Sequence, residues 1–191
     1  MPRAGLDPEL VVRHASALVD ADGVLALTLA RVASELGVAT PSLYKHIGGL
    51  DDLLVRVAAS AMAALATQLG VAARGRSGRA ALKGIAHAYR RFAREHPGTY
   101  PLTQRAVSSA EWEAAASDAV ASVVAALSGY GVAEDDTDRI RFVRAALHGF
   151  VDLERSGGFA HPASVDESFA FLIDALDATL RALGTKASIP P

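Results

Sequence analysis

Cysteine is absent from the 191 residues, which removes disulfides, thiolate catalysis and cysteine-ligated zinc from the available chemistry. Long apolar runs are missing too. One charge-free stretch, 119–133, is interrupted by Ser122, Ser128, Gly129 and Gly131, and it falls short of the roughly 18 residues a membrane span needs. The N-terminal MPRAGLDPEL carries no apolar signal core, so a soluble cytoplasmic protein with no membrane partner is expected. Alternating β-branched residues and hairpin turns are lacking, which excludes a sheet. Lysine is scarce, 3 against 16 arginines, and the net charge is −2. That balance argues against a passive nucleic-acid coat.

Catalytic patterns are equally sparse. There is no phosphate-cradling glycine loop, no HExxH and no GxSxG, each of which would place reacting groups at a fixed spacing. His87, His96, His148 and His161 lie without metal-ligand spacing. Helical spacing turns Asp152 and Glu154, the acids near His148, to different sides. No enzyme, no metal site and no cofactor are expected.

What the chain has is helix-forming sequence almost throughout, rich in alanine and leucine. Asp7 can cap a first helix with Pro8 at its first position, and Asp22-Gly23 ends it. Thr28 caps a short helix, Leu29 to Leu36, and Gly37 suits the left-handed residue that closes it. Thr40 caps another short helix, with Pro41 first, running to Ile47. Gly48-Gly49 breaks that one. Asp51-Asp52 opens a longer helix, Leu53 to Val71, with acids at its positive end. Residues 72–78 form an exposed loop. Helices then span about 79–95, 110–127, 135–155 and 165–183, with a short one after Pro101 and Gly184 as the final stop. Residues 61–110 hold eight basic groups and one acid. The cluster Arg74, Arg76, Arg79, Lys83, Arg90, Arg91 and Arg94 reads as a solvated face plus a loop.

Residues 27–54 are the informative stretch. Two short helices joined by Gly37-Val38-Ala39 make a helix-turn-helix, whose short turn sets the helices at a steep angle. Val32, Ala33 and Leu36 can pack on Leu43 and Ile47. That leaves Thr40, Ser42, Tyr44, Lys45 and His46 outward, all donors able to meet phosphates or base edges in a major groove. The same stretch resembles the TetR family of bacterial repressors. The resemblance lies in Thr28, Val32-Ala33, Leu36-Gly37-Val38 and Leu43-Tyr44-Lys45-His46-Ile47. It implies that Thr28 and Tyr44 hold phosphates and that Thr40, Pro41, Ser42, Lys45 and His46 face the groove. The family's phosphate-contacting Lys at the start of the next helix is replaced by Leu50. The backbone N–H groups at that helix start remain available to phosphate; either affinity is lower for want of the lysine, or another basic group substitutes.

Two further pieces resemble a C-terminal domain of this family named for a Trp-His-Gly signature. One is Tyr89-Arg90-Arg91-Phe92-Ala93 with Glu95-His96-Pro97 and Tyr100. The other is Ala145 to Phe150 with Leu153-Glu154 and Gly157-Gly158-Phe159. Leu147 stands where the signature has Trp. The expected fold is all-α: a three-helix helix-turn-helix domain over residues 1–50, then a ligand-sensing and dimerisation domain over 51–191, with helix 51–71 connecting them. The last helix is apolar on two sides, through Phe169, Leu172, Ile173, Leu176, Leu180 and Leu183 widened by Phe171 and Ala175. It therefore needs both its own bundle and a second subunit, and the last two helices are expected to form a homodimer interface. Aromatic-lined cavities are the usual small-molecule sites, which makes Phe92, Tyr100, Trp112, His148 and Phe150 the candidate effector contacts; core packing accounts for the same residues equally well. The resemblance implies a repressor that an effector releases from a pseudo-palindromic DNA operator. The alternative is a ligand-independent DNA-binding protein.

Overall fold

Asp7 accepts a hydrogen bond from the Leu10 amide at 2.6 Å, and Pro8 follows it. With one orphan donor satisfied and φ preset by proline, the chain enters α1, Pro8–Asp22. In this computed structural model, which describes residues 6–186, six more α-helices follow. They are α2 (Leu29–Leu36), α3 (Leu50–Ala73), α4 (Gly78–Glu95), α5 (Ala110–Leu127), α6 (Thr137–Arg155) and α7 (Val165–Lys186). Short 3-10 turns occupy Val24–Ala26, Thr40–Lys45, Tyr100–Gln104 and Ser128–Tyr130. The architecture is all-helical, with no strand among the described residues.

The chain divides into two compact units. Among the described residues the N-terminal unit comprises those up to Ala64 together with His96–Ala116, and the C-terminal unit comprises Leu65–Glu95 and those from Ser117 onward. The N-terminal core is aliphatic. Val11, Ala15 and Val19 of α1, Val32 and Ala33 of α2, Leu43, Ile47, and Leu53 and Val57 of α3 are all buried, with Leu102 packed against them. The turn after α4 is seated on the end of α1. Asp20 accepts from the Gly98 and Thr99 amides at 3.1 and 2.7 Å and lies 2.9 Å from His96 Nδ1. Only glycine fits at 98, because a Cβ there would sit 1.8 Å from the Val19 carbonyl oxygen.

In the C-terminal unit α4 packs against α6 and α7. Its buried face runs along Leu82, Ile85, Ala86, Tyr89, Phe92 and Ala93. Arg90 is part of that face, 5% exposed. This corrects its placement on a solvated charged side. Its guanidinium donates to both carboxylate oxygens of Glu154 on α6, at 2.8 and 2.5 Å. It also pairs with Asp166 on α7 at 2.7 Å and lies 4.6 Å from the Phe169 ring centre. A buried guanidinium is tolerable only when its donors are matched this fully. The Arg90 hydrogen bonds in turn hold the Glu154 carboxyl below its usual range.

Three element boundaries differ from expectation. The helix expected from Asp51-Asp52 starts at Leu50, because Asp52 reaches back to accept the Gly48 amide at 2.8 Å and anchors the first turn. It continues to Ala73, beyond Val71. By length and mean hydropathy α3 would suffice to cross a membrane, yet Leu53, Val57, Ala58, Met62, Leu65 and Leu69 are buried within the protein. Finally, α7 runs through Gly184. A Cβ at that glycine would lie 3.0 Å from the Tyr130 carbonyl oxygen, so the residue serves a close approach and does not close the helix.

Candidate nucleic-acid interface

Thr28 is the first of the candidate contacts. Its Oγ1 accepts the Arg31 amide at 3.2 Å and so caps α2. At the other end Gly37 adopts φ 65°, ψ 33°. The Gly37 amide donates to Ser34 at 3.1 Å and the Val38 amide to Ala33 at 3.0 Å. This paired closure satisfies carbonyls that the helix end would otherwise leave bare, and it turns the chain sharply. A β-carbon would strain that left-handed backbone, which is why the turn holds glycine.

The following segment was expected to be an α-helix from Thr40 to Ile47. It is a 3-10 turn over Thr40–Lys45. The Ser42 amide donates to Ala39 and the His46 amide to Leu43, both at 2.8 Å; only Ile47 makes the longer α-type bond, to Leu43 at 3.0 Å. Between the proline and the Gly48-Gly49 break there are too few residues to sustain an α ladder, and the tighter winding is the usual outcome in so short a piece. Leu43 and Ile47 remain the anchors, at 0 and 3% exposure.

The polar residues distribute around those anchors. Pro41, Tyr44 and Lys45 are exposed, Tyr44 by 59%. Thr40, Ser42 and His46 are half-buried, and Thr28 is exposed. The α2 helix packs against the Thr40–Lys45 turn, so the seven candidate DNA contacts sit on two adjoining elements of one unit. Leu50, standing at the usual lysine place, is half-buried and packs on the core. The expected phosphate lysine is therefore replaced by a core-facing side chain.

The five candidate effector contacts fall in both units. Tyr100 and Trp112 belong to the N-terminal one, and Phe92, His148 and Phe150 to the C-terminal one. Tyr100 and Phe92 are fully enclosed. Phe150 lies against Phe159 and Phe169, at centroid distances of 4.8 and 5.0 Å. Trp112 differs from these: its Nε1 is buried without a hydrogen-bond partner. A cleft of about 520 Å³ lies within the N-terminal unit, lined on the α3 side by Asp52, Val55, Arg56, Ala59, Ser60 and Ala63 and opposite by Ser108, Ser109 and Glu111. None of the five lines it.

Among the polar groupings that sequence reasoning missed are Asp20 with the 96–99 turn, Arg90 with Glu154 and Asp166, and an Asp22–Arg31 ion pair. One signal was available. Asp20 and Asp22 are acids in the last turn of α1, where the helix dipole favours a base and none is present. Acids in that position call for donors from outside the helix.

The chain matches the family described as "Tetracyclin repressor-like, C-terminal domain" over residues 82–176. It is 32% identical over 174 residues to the uncharacterized HTH-type transcriptional regulator YobS of Bacillus subtilis (strain 168), covering 90% of this chain and 91% of the relative. It is 35% identical over 161 residues to the HTH-type transcriptional regulator Rv0681 of Mycobacterium tuberculosis, covering 81% and 72%. The fold is shared with a TetR variant from Acinetobacter baumannii AYE in complex with minocycline, at TM-score 0.70 and 22% identity over 94% of this chain and 99% of that one. It is also shared with ActR from Streptomyces coelicolor, at TM-score 0.71 and 20% identity over 97% and 100%. The sequence similarity over nearly the whole chain, joined to a capped helix, a glycine turn and an anchored polar segment, gives the conclusion that the protein belongs to the TetR family of helix-turn-helix transcriptional regulators.

Proposed function

We propose that this regulator is a repressor that binds a pseudo-palindromic operator as a homodimer and is released by a small molecule. The assignment of residues 1–50 to DNA binding and 51–191 to sensing and dimerisation is part of the same reading. The observation that carries it is the Thr40–Lys45 turn, rooted by buried Leu43 and offering Tyr44 and Lys45 to solvent. Phosphate contacts from Thr28 and Tyr44 would fix the register. Thr40, Pro41, Ser42, Lys45 and His46 would then meet base edges. Two such segments must sit about 34–36 Å apart to enter successive major grooves.

A dimer is supported by apolar faces that α6 and α7 turn to solvent. On α6 the exposed residues Phe142, Ala145, Gly149 and Leu153 recur at intervals of three and four. On α7 Phe171, Ala175, Ala178 and Ala182 do the same, and Phe171 is 75% exposed. Gly149 has open space where a Cβ would be, so a partner helix can approach it closely. Together these faces would bury the apolar surface that a stable subunit contact requires.

Release by an effector is supported by the neighbours. The TetR variant from Acinetobacter baumannii was solved with minocycline and ActR with (S)-DNPA. A relative matched over 53 residues, DrrR1 of Streptomyces coeruleorubidus, is named a repressor. In this chain Trp112 Nε1 is a buried donor without a hydrogen-bond partner, and since a buried donor left unmade is costly, a ligand acceptor reaching it would be favoured. An effector acts by its differential affinity for the two dimer geometries. A duplex selected from a random pool by the purified protein, followed by anisotropy titration, tests DNA binding. A thermal-shift screen then separates a sensor, which gains stability with some compound, from a ligand-independent binder, which gains none.

A further inference from the structure

We infer that Arg31 is a guarded phosphate contact. Asp22 holds its guanidinium in the free protein, a DNA backbone phosphate takes it over in the complex, and Asp22 thereby lowers affinity for every duplex. The inference rests on reading Thr28 and the 40–46 segment as the DNA face.

The argument starts from the distribution of charge. Residues 6–60 hold four cations: Arg13, Arg31, Lys45 and Arg56. Among the described residues Arg13 pairs with Glu9 at 3.8 Å, Arg56 with Asp52 at 2.9 Å, and Arg31 with Asp22, while Lys45 has no ion pair. The first two are pairs within one helix, four residues apart. Asp52 also accepts the Gly48 amide, so it is part of the α3 cap. The Asp22–Arg31 pair alone links two helices, α1 and α2.

Position gives Arg31 its role. It lies three residues after Thr28, and its amide is the donor that Thr28 Oγ1 accepts. Residues three apart on a helix are neighbours, so its side chain springs from the same turn as a group read as a phosphate ligand. Leu50, at the start of α3, is half-buried on the core and supplies no cation to this face.

Energetics favour the exchange. The Arg31 and Asp22 side chains are 39 and 44% exposed, and ion pairs that open to water contribute little. Arginine to phosphate is a charge-assisted, often bidentate contact and a stronger one. Asp22 also sits at the negative end of α1, so it does not serve its own helix. When phosphate displaces Asp22, a counterion leaves the DNA but another is taken up by the freed carboxylate. In the wild type the exchange therefore adds almost nothing to the salt dependence.

The test uses the full-length protein and a labelled 30-base-pair duplex of random sequence, with anisotropy titrations across a range of KCl concentrations. Asp22→Asn is expected to bind about eight-fold more tightly at 0.1 M salt and to steepen the log K against log[salt] slope by about 0.9, the signature of one more phosphate neutralised. Arg31→Gln is expected to bind more weakly than wild type. In the double variant the gain from Asp22→Asn is expected to vanish. An unchanged slope in Asp22→Asn overturns the inference. So does a double variant that keeps the eight-fold gain over Arg31→Gln alone, because that gain would be simple removal of a negative charge. Thermal melts near that of wild type are expected throughout. If Tyr44→Ala and Lys45→Ala leave binding untouched, the reading of the DNA face has failed. If they weaken it and Asp22→Asn is silent, only the guarded contact has.

Discussion

The two units use charge in opposite ways. In the N-terminal unit the core around Leu43 is purely aliphatic, and the ion pairs of Arg13, Arg31 and Arg56 lie at the surface. In the C-terminal unit an arginine is inside, tied to α6 and α7 by Glu154 and Asp166 across 64 and 76 residues of sequence. The first arrangement keeps charged side chains in solvent-open pairs, which contribute little to the fold. The second spends them on fixing three helices in one register. Substitutions of polar residues should therefore harm binding in one unit and stability in the other.

The sharpest way to break that comparison is to empty the buried site. Arg90→Ala strands Glu154 without its main donor and should destabilise the protein by about 3–5 kcal/mol, read as a lowered denaturation midpoint. Arg90→Ala/Glu154→Ala should lose less than the sum of the two single changes, since the pair acts as a unit. Additive losses would show that the helices are held by apolar packing alone.

Asp20 is the case that blurs the line, since it is polar, lies in the N-terminal unit and is structural. Asp20→Ala leaves the Gly98 and Thr99 amides without their acceptor, and Thr99 is 3% exposed. A loss of about 1–3 kcal/mol is expected, with faster amide exchange at Thr99.

Thr28 has a dual role, helix cap and candidate phosphate ligand. Thr28→Ala should cost about 1 kcal/mol of stability through the lost cap, and Thr28→Ser should restore it. If the serine variant restores stability but not operator affinity, the methyl group contributes to the DNA contact.

The smallest effect concerns acid. Arg90 hydrogen bonds depress the Glu154 carboxyl below its usual 4.5. A depressed carboxylate contributes stability that is fully present above that value and lost as pH falls through the folded-state value. Glu154→Gln removes this titration, so the acid limb of its stability profile should be flatter than that of wild type.

Elements bounded by side-chain chemistry were readable from sequence. Asp7-Pro8, Thr28 and Gly37 carry their instructions within three or four residues, and α1 and α2 begin and end where those residues place them. Features decided at a distance were not. Arg90 looked like one more member of a basic run, because its partners are 64 and 76 residues away. Gly184 looked like a stop, because the Tyr130 carbonyl it accommodates lies elsewhere in the chain. The Thr40–Lys45 turn was located correctly by its polar pattern, but helical periodicity over six residues does not separate 3-10 from α winding. Of the candidate DNA contacts, the exposure of Tyr44 and Lys45 followed from the anchors Leu43 and Ile47. The partial burial of Thr40, Ser42 and His46 did not.

The most direct test is the double variant Tyr44→Ala/Lys45→Ala, measured by anisotropy on a duplex selected by the wild-type protein and by sedimentation for its assembly state. The account predicts loss of at least ten-fold in operator affinity, about 1.4 kcal/mol, with thermal stability and dimer mass unchanged. Full affinity in the double variant would contradict it.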